Sequence, residues 1–130
     1  MTIIDTSAMV SFLNGTPEAV KKIEELTNQG DIIAITTISV YELLKGAQLS
    51  SRQKENLLEV TEAISSVQIL DLSNDACLEA ARIYCTLKEE GKLIGEFDIL
   101  IAAIAKTNGQ AILTRDQHFK SVPGLILAKW

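Results

Sequence analysis

A chain of 130 residues with 47% apolar content is long enough to build one folded core and too apolar to stay disordered. Its longest nearly uncharged stretch, Ile99 to Ala105, falls far short of the roughly 20 apolar residues of a bilayer span. Met1-Thr2-Ile3-Ile4-Asp5 has neither the basic start nor the long apolar run of a signal peptide, so a cytoplasmic location is expected.

The first strand is Ile3-Ile4, and Asp5-Thr6-Ser7 starts a helix through Met9, Phe12 and Leu13 that Asn14-Gly15 breaks. Met9, Phe12 and also Phe97, further on, are read as core. Thr16-Pro17-Glu18 opens a second helix running to Asn28-Gln29-Gly30. Ile32 to Ile35 is a continuous apolar run, the pattern of a strand covered on both faces, which favours a parallel sheet. Ser39 and Glu42 have the spacing of a capping box at the start of the next helix, and Ser51 to Ser65 forms another. Val67 to Leu70 is a third strand, and Ser73-Asn74-Asp75 caps a long helix. Cys77 and Cys85 fall eight residues apart in that helix, about 12 Å at 1.5 Å per residue, too far for a disulfide; they are expected to be free, buried thiols. Gly95-Glu96-Phe97-Asp98 enters the most apolar helix, closed by Asn108-Gly109. Ala111 to Thr114 is a fourth strand, Arg115 to Phe119 a brief helical turn, and Leu125 to Leu127 a last short strand. Strands alternating with helices over residues 1–130, with no linker or repeat, predict one three-layer α/β/α domain around a mostly parallel sheet.

In such sheets ligand sites form at the carboxyl ends of the strands. That rule selects Asp5, just after the first strand, and Asp116, just beyond the fourth, with Glu42 and Asp98 in the first turns of helices. Asp31 precedes its strand and belongs to the opposite edge. Each acid has a structural explanation of its own: the capping box for Glu42, the helix dipole for Asp98, caps for Asp5 and Asp116. Together they require a counter-charge, because four adjacent carboxylates repel. A single histidine, His118, excludes a Cys/His zinc site, so the counter-ion is a hard, oxygen-loving Mg2+ or Mn2+, the kind used for phosphodiester cleavage. The net charge of −5 argues against a nucleic-acid enzyme; with these four acids discounted it is −1.

Four segments, Ile3-Ile4-Asp5-Thr6-Ser7, Tyr41-Glu42-Leu43-Leu44-Lys45-Gly46, Ile94-Gly95-Glu96-Phe97-Asp98-Ile99-Leu100-Ile101-Ala102-Ala103 and Leu113-Thr114-Arg115-Asp116, resemble in order the signature segments of PIN domains, most closely those of VapC-type toxins. The resemblance covers essentially the whole chain. It implies a five-stranded parallel sheet, Mg2+- or Mn2+-dependent endoribonuclease activity on RNA, a homodimer and inhibition by a cognate antitoxin. By position it makes Asp5, Asp98 and Asp116 metal ligands, Glu42 the fourth catalytic acid and Thr114 a supporting hydroxyl. Glu96 is a weaker candidate at the same helix start. Lys45 and Arg115, beside signature acids, are candidate phosphate contacts, and His118 a candidate proton carrier with a structural alternative.

Three other readings compete. A catalytically silent module of the same fold would use the acids as caps and its surface for a protein partner. A phosphoacceptor receiver domain needs an acidic pair after the first strand, which Asp5-Thr6-Ser7 does not supply. A housekeeping RNA-processing nuclease would share the chemistry, and the lack of an appended RNA-binding module favours the toxin.

Overall fold

A computed structural model describes all residues, 1–130. The chain order is β1 (Thr2–Ile4), α1 (Thr6–Leu13), α2 (Pro17–Asn28), β2 (Ile33–Thr36), α3 (Thr37–Leu49), α4 (Gln53–Ser65), β3 (Gln68–Leu70), α5 (Asn74–Glu89), α6 (Glu96–Thr107), β4 (Ala111–Leu113), a 3-10 helix (Gln117–Ser121) and β5 (Leu127–Ala128). The five strands form one sheet in the order β3-β2-β1-β4-β5, and every pairing is parallel.

Continuous apolar strands follow from the two covered faces. Successive strand side chains point to opposite sides, and Ile3, Ala34 and Ile112 pack on one face with Ala80, Ile83 and Leu87 of α5 and Ile99 and Ile101 of α6. Ile4, Ile35 and Leu113 pack on the other with Met9 of α1, Ile23 of α2, Leu43 of α3 and Val60 of α4. Each fully buried Ile, Leu or Met among them contributes about 1.5–3 kcal/mol. No helix is long and apolar enough to cross a membrane.

The strand order also places the site. From β1 the chain moves outward to β2 and β3, then returns through α5 and α6 to β4 on the other flank of β1. The direction of winding therefore reverses between β1 and β4, and a crevice opens beyond their carboxyl ends. Gly109, at φ 63°, closes α6 and lets the chain turn straight into β4.

Four expectations need correction. The Ser39–Glu42 capping box does not form: Thr36, extended at the end of β2 (φ −93°, ψ 159°), already receives the Ser39 N–H on its Oγ1 at 3.2 Å, so α3 begins directly at Thr37. Glu42 thus lies in the second turn of its helix, and Ser39 is fully buried. Cys77 and Cys85 are free but exposed, because α5 buries Ala76, Ala80, Ile83 and Leu87 and the two thiols fall off that stripe. Phe97 is 38% exposed, in the first turn of α6 before that helix enters the core. The last strand is shifted to Leu127–Ala128.

Candidate metal centre

Asp5 leaves β1 at the switch point and stays extended (φ −72°, ψ 170°), where it caps α1: its Oδ1 accepts the Ala8 N–H at 2.7 Å. Its Oδ2 accepts the Thr114 hydroxyl, which comes from the end of β4. Thr114 Oγ1 in turn receives the Asp116 N–H at 2.9 Å. One buried hydroxyl therefore fixes the carboxylate after β1 and the main chain of the acid after β4. Asp116 caps the 3-10 helix, accepting the His118 N–H on Oδ1 at 2.9 Å.

Glu42 is held by a second hydroxyl. Thr6 Oγ1 lies 2.8 Å from Glu42 Oε1 and 3.0 Å from Ser39 Oγ. A carboxylate only accepts, so the single Thr6 proton goes to Glu42 and leaves that acid's second oxygen uncommitted. Asp98, in the first turn of α6, accepts no hydrogen bond from the protein and forms no ion pair.

All four acids line one cavity of about 360 Å³, with Thr6, Ser7 and Ser11 on its α1 side. The capping roles read from the sequence for Asp5 and Asp116 are real, yet they do not compete with convergence, because each carboxylate oxygen keeps a further lone pair. Crowding shows in the titration behaviour. Burial pushes the Asp5 carboxyl upward, partly offset by Thr114 and the Ala8 N–H and reinforced by Asp116 and Glu42. Asp98 rises to about 6, first from burial and then from the charges of Asp116, Glu42 and Asp5.

This donor set fits a hard divalent cation. It is all oxygen around the cavity, it carries more negative charge than the protein compensates, and Asp98 has no other partner. His118 sits at the rim, 68% exposed with Nδ1 3.1 Å from Asp116 Oδ1, and ligand atoms of Asp98, Asp116 and His118 lie within 4.8 Å of one another. It therefore reaches the acids and is not a core histidine.

Glu96 is exposed and lines a separate, largely apolar cavity of about 330 Å³ with Tyr84, Ile99 and Leu100. Lys45 is exposed, with its ammonium 5.2 Å from the Tyr41 ring centroid and 5.6 Å from that of Phe97. Arg115 stacks on Trp130, its guanidinium carbon 3.6 Å from the ring centroid. Sequence reasoning gave Ser39 a capping role that it does not have, and missed Thr6 and Thr36, the hydroxyls that set Glu42 and its helix. Their signal was hydroxyl residues directly following β1 and ending β2, each within a turn of a carboxylate or a helix start.

A doubly covered parallel sheet with a quartet of acids at its switch point defines the PIN fold, and the PIN domain family model matches residues 2–125. The chain belongs to that family. Among its relatives, Ribonuclease VapC2 of Rickettsia felis is 29% identical over 129 residues, covering 98% of this chain and 96% of the relative. The tRNA(fMet)-specific endonuclease VapC of Salmonella typhimurium is 26% identical over the same shares. The crystal structure of VapBC2 from Rickettsia felis bound to a DNA fragment from their promoter contains a chain that superposes with a TM-score of 0.92 at 27% identity, covering 99% of this chain and 98% of that one. The five-stranded sheet expected from the resemblance is present, and it is parallel throughout.

Proposed function

We propose that this chain is a cytoplasmic endoribonuclease dependent on Mg2+ or Mn2+, the toxin of a toxin–antitoxin pair, and that residues 1–130 act as a single PIN domain. The observation that carries the reading is Asp98. A half-buried carboxylate with no hydrogen-bond donor and three acids around one cavity, raised to about 6, is unfavourable unless a cation occupies its front.

Asp5, Asp98 and Asp116 are the ligands, and Glu42 completes the acidic set directly or through water. When bound, the divalent ion supplies positive charge to the scissile phosphate and lowers the pKa of water. The protein's own part is positioning. Thr114 holds Asp5 and the Asp116 main chain at fixed spacing, and Thr6 orients Glu42. Supporting hydroxyls of this kind keep ligands from rotating out of register. The similarity to VapC proteins extends the reading to a homodimer with a cognate antitoxin, and the tRNA(fMet)-specific endonuclease among its relatives makes a tRNA the first substrate to test.

The test is cleavage of total RNA by purified protein with Mn2+, Mg2+ or EDTA, with sequencing of the new ends. Discrete ends produced only with metal support the proposal; intact RNA under all conditions, from protein that binds Mn2+, would leave a silent binding module of the same fold. Arrest of growth on expression, relieved by the neighbouring reading frame, is the expected result for the toxin role.

A further inference from the structure

The acid cavity has a neighbour of opposite sign. Beyond Thr114 the chain runs through Arg115 and Asp116 into the 3-10 helix, and β5, paired with β4, brings Lys129 and Trp130 back alongside. Arg115, Lys120, Lys129, Gln117 and Trp130 line a cavity of about 290 Å³ that shares Asp116 with the acid cavity and has Thr114 in its wall.

Three features distinguish this cavity from scattered surface lysines. The side-chain ion pairs of the protein join Arg52 to Glu55, Arg82 and Lys106 to Glu79, and His118 to Asp116, so Lys120 and Lys129 are neutralised by none of them and Arg115 by no acidic side chain. All three are exposed, yet they converge on one hollow in a chain of net charge −5. Arg115 is also held in place, stacked on Trp130 and donating from Nε to the Trp130 main-chain oxygen at 2.9 Å, which removes much of the entropy cost of engaging an anion. The acids themselves repel a polyanion and hold phosphate only through a cation. Affinity for the strand has to come from positive charge next to them.

We propose that Arg115, Lys120 and Lys129 form a subsite for a backbone phosphate adjoining the scissile one, so that the strand crosses from cations to acids over Asp116. The subsite rests on the nuclease reading above and adds Lys120 and Lys129 to its binding surface. It gives the RNA a direction across the switch point: one flank of the cleavage site is gripped electrostatically, independent of base identity.

The experiment compares wild type with the double variant Lys120→Ala/Lys129→Ala, both exposed positions. Fluorescence anisotropy with a short labelled single-stranded RNA, in EDTA across a KCl series, is run beside Mn2+-dependent cleavage. The double variant should bind about tenfold more weakly, with the slope of log affinity against log salt shallower by about 0.7 for each phosphate no longer neutralised. In cleavage the loss should fall on KM rather than kcat, and Lys120→Arg/Lys129→Arg should recover most of it. A DNA strand of the same sequence should lose affinity equally. Unchanged affinity and salt slope in the alanine variant overturn the subsite, as does a loss confined to RNA, which would indicate ribose contacts. If the variant loses affinity as expected but wild type never cleaves, the subsite stands and the nuclease reading falls.

Discussion

The two edges of the sheet carry aspartates in opposite conditions. At the amino edge, Asp31 is saturated: the Met1 ammonium lies 2.7 Å from its Oδ1, the Thr2 hydroxyl donates to Oδ2 at 2.5 Å, and the Ile32 N–H donates to Oδ1 at 2.9 Å. Its carboxyl is held below the ordinary value, first by hydrogen bonding from the ammonium and then from Thr2. At the carboxyl edge, Asp98 has no donor and three acids on its cavity, and is raised to about 6. An aspartate that the protein satisfies is part of its structure. One that the protein leaves unsatisfied is complementary to something the chain does not contain.

Removing the unsatisfied charge should therefore have the largest effect on activity and the least on folding. Asp98→Asn is expected to lower Mn2+-dependent cleavage by more than about 100-fold, since even supporting contacts around a metal cost about 10–100-fold. Calorimetry should show weakened Mn2+ binding. Metal-free stability should stay level or rise, because native Asp98 binds a proton more tightly than the unfolded carboxyl near 3.9. Between about pH 4 and pH 6 the native state then holds more protons, so metal-free wild type loses stability as pH rises through that window. Asp98→Asn should flatten this slope, and in wild type the metal affinity should weaken as pH falls below about 6. Equal metal binding by both proteins would remove Asp98 from the centre.

An intermediate effect belongs to the two threonines that flank Glu42. Thr6 touches the carboxylate, whereas Thr36 contacts only the main chain and hydroxyl of Ser39 at the start of the helix. Thr6→Val is expected to reduce cleavage by about 10–100-fold with a small change in melting temperature. Thr36→Ala should cost about 0.5–2 kcal/mol through the lost cap while the folded fraction cleaves at nearly the wild-type rate. Both are read from thermal melts beside initial cleavage rates. Matched losses of stability and activity in the two variants would mean that Thr6 supports the fold and not Glu42.

Those threonines also mark where the sequence stopped being legible. Periodicity and breakers identified all five strands and all six helices, because the two-faced burial of Ile3-Ile4 and Ile112-Leu113 leaves an unmistakable apolar run. Asp5 and Asp116 were legible from the rule about strand ends, whereas Glu42 and Asp98 were read from helix starts, correctly for Asp98 and one turn early for Glu42. The capping box failed because a helix start is a competition: Thr36 is the last residue of β2 and captures the Ser39 N–H, so a valid motif three residues on is left unused. The buried thiols failed for a comparable reason, since α5 packs only one stripe against the sheet and small apolar side chains just off it remain in solvent. The cationic cavity was hidden because Lys129 and Trp130 meet Arg115 only through the β4–β5 pairing, a long-range contact with no local pattern.

The smallest effect is expected at Asp31, and it should run in the opposite direction to Asp98. Its lowered carboxyl contributes stability that is complete above the unfolded value near 3.9 and is lost as pH falls through the lower folded value. Because the pair with the Met1 ammonium keeps partial access to solvent, with side chains 18% and 22% exposed, Asp31→Asn should cost about 1 kcal/mol at pH 7, and less in high salt. The cost should shrink toward zero at low pH, where wild-type Asp31 is itself protonated. Metal affinity and cleavage should not change, since Asp31 lies at the far end of β2 from the acids. Urea denaturation at pH 7 and at pH 3, run in parallel with Asp98→Asn, reads both signs: the deficit of Asp31→Asn against wild type smaller at the lower pH, Asp98→Asn equal or more stable than wild type at the higher. If Asp31→Asn impaired cleavage in fully folded protein, the division of labour between the two edges of the sheet would be wrong.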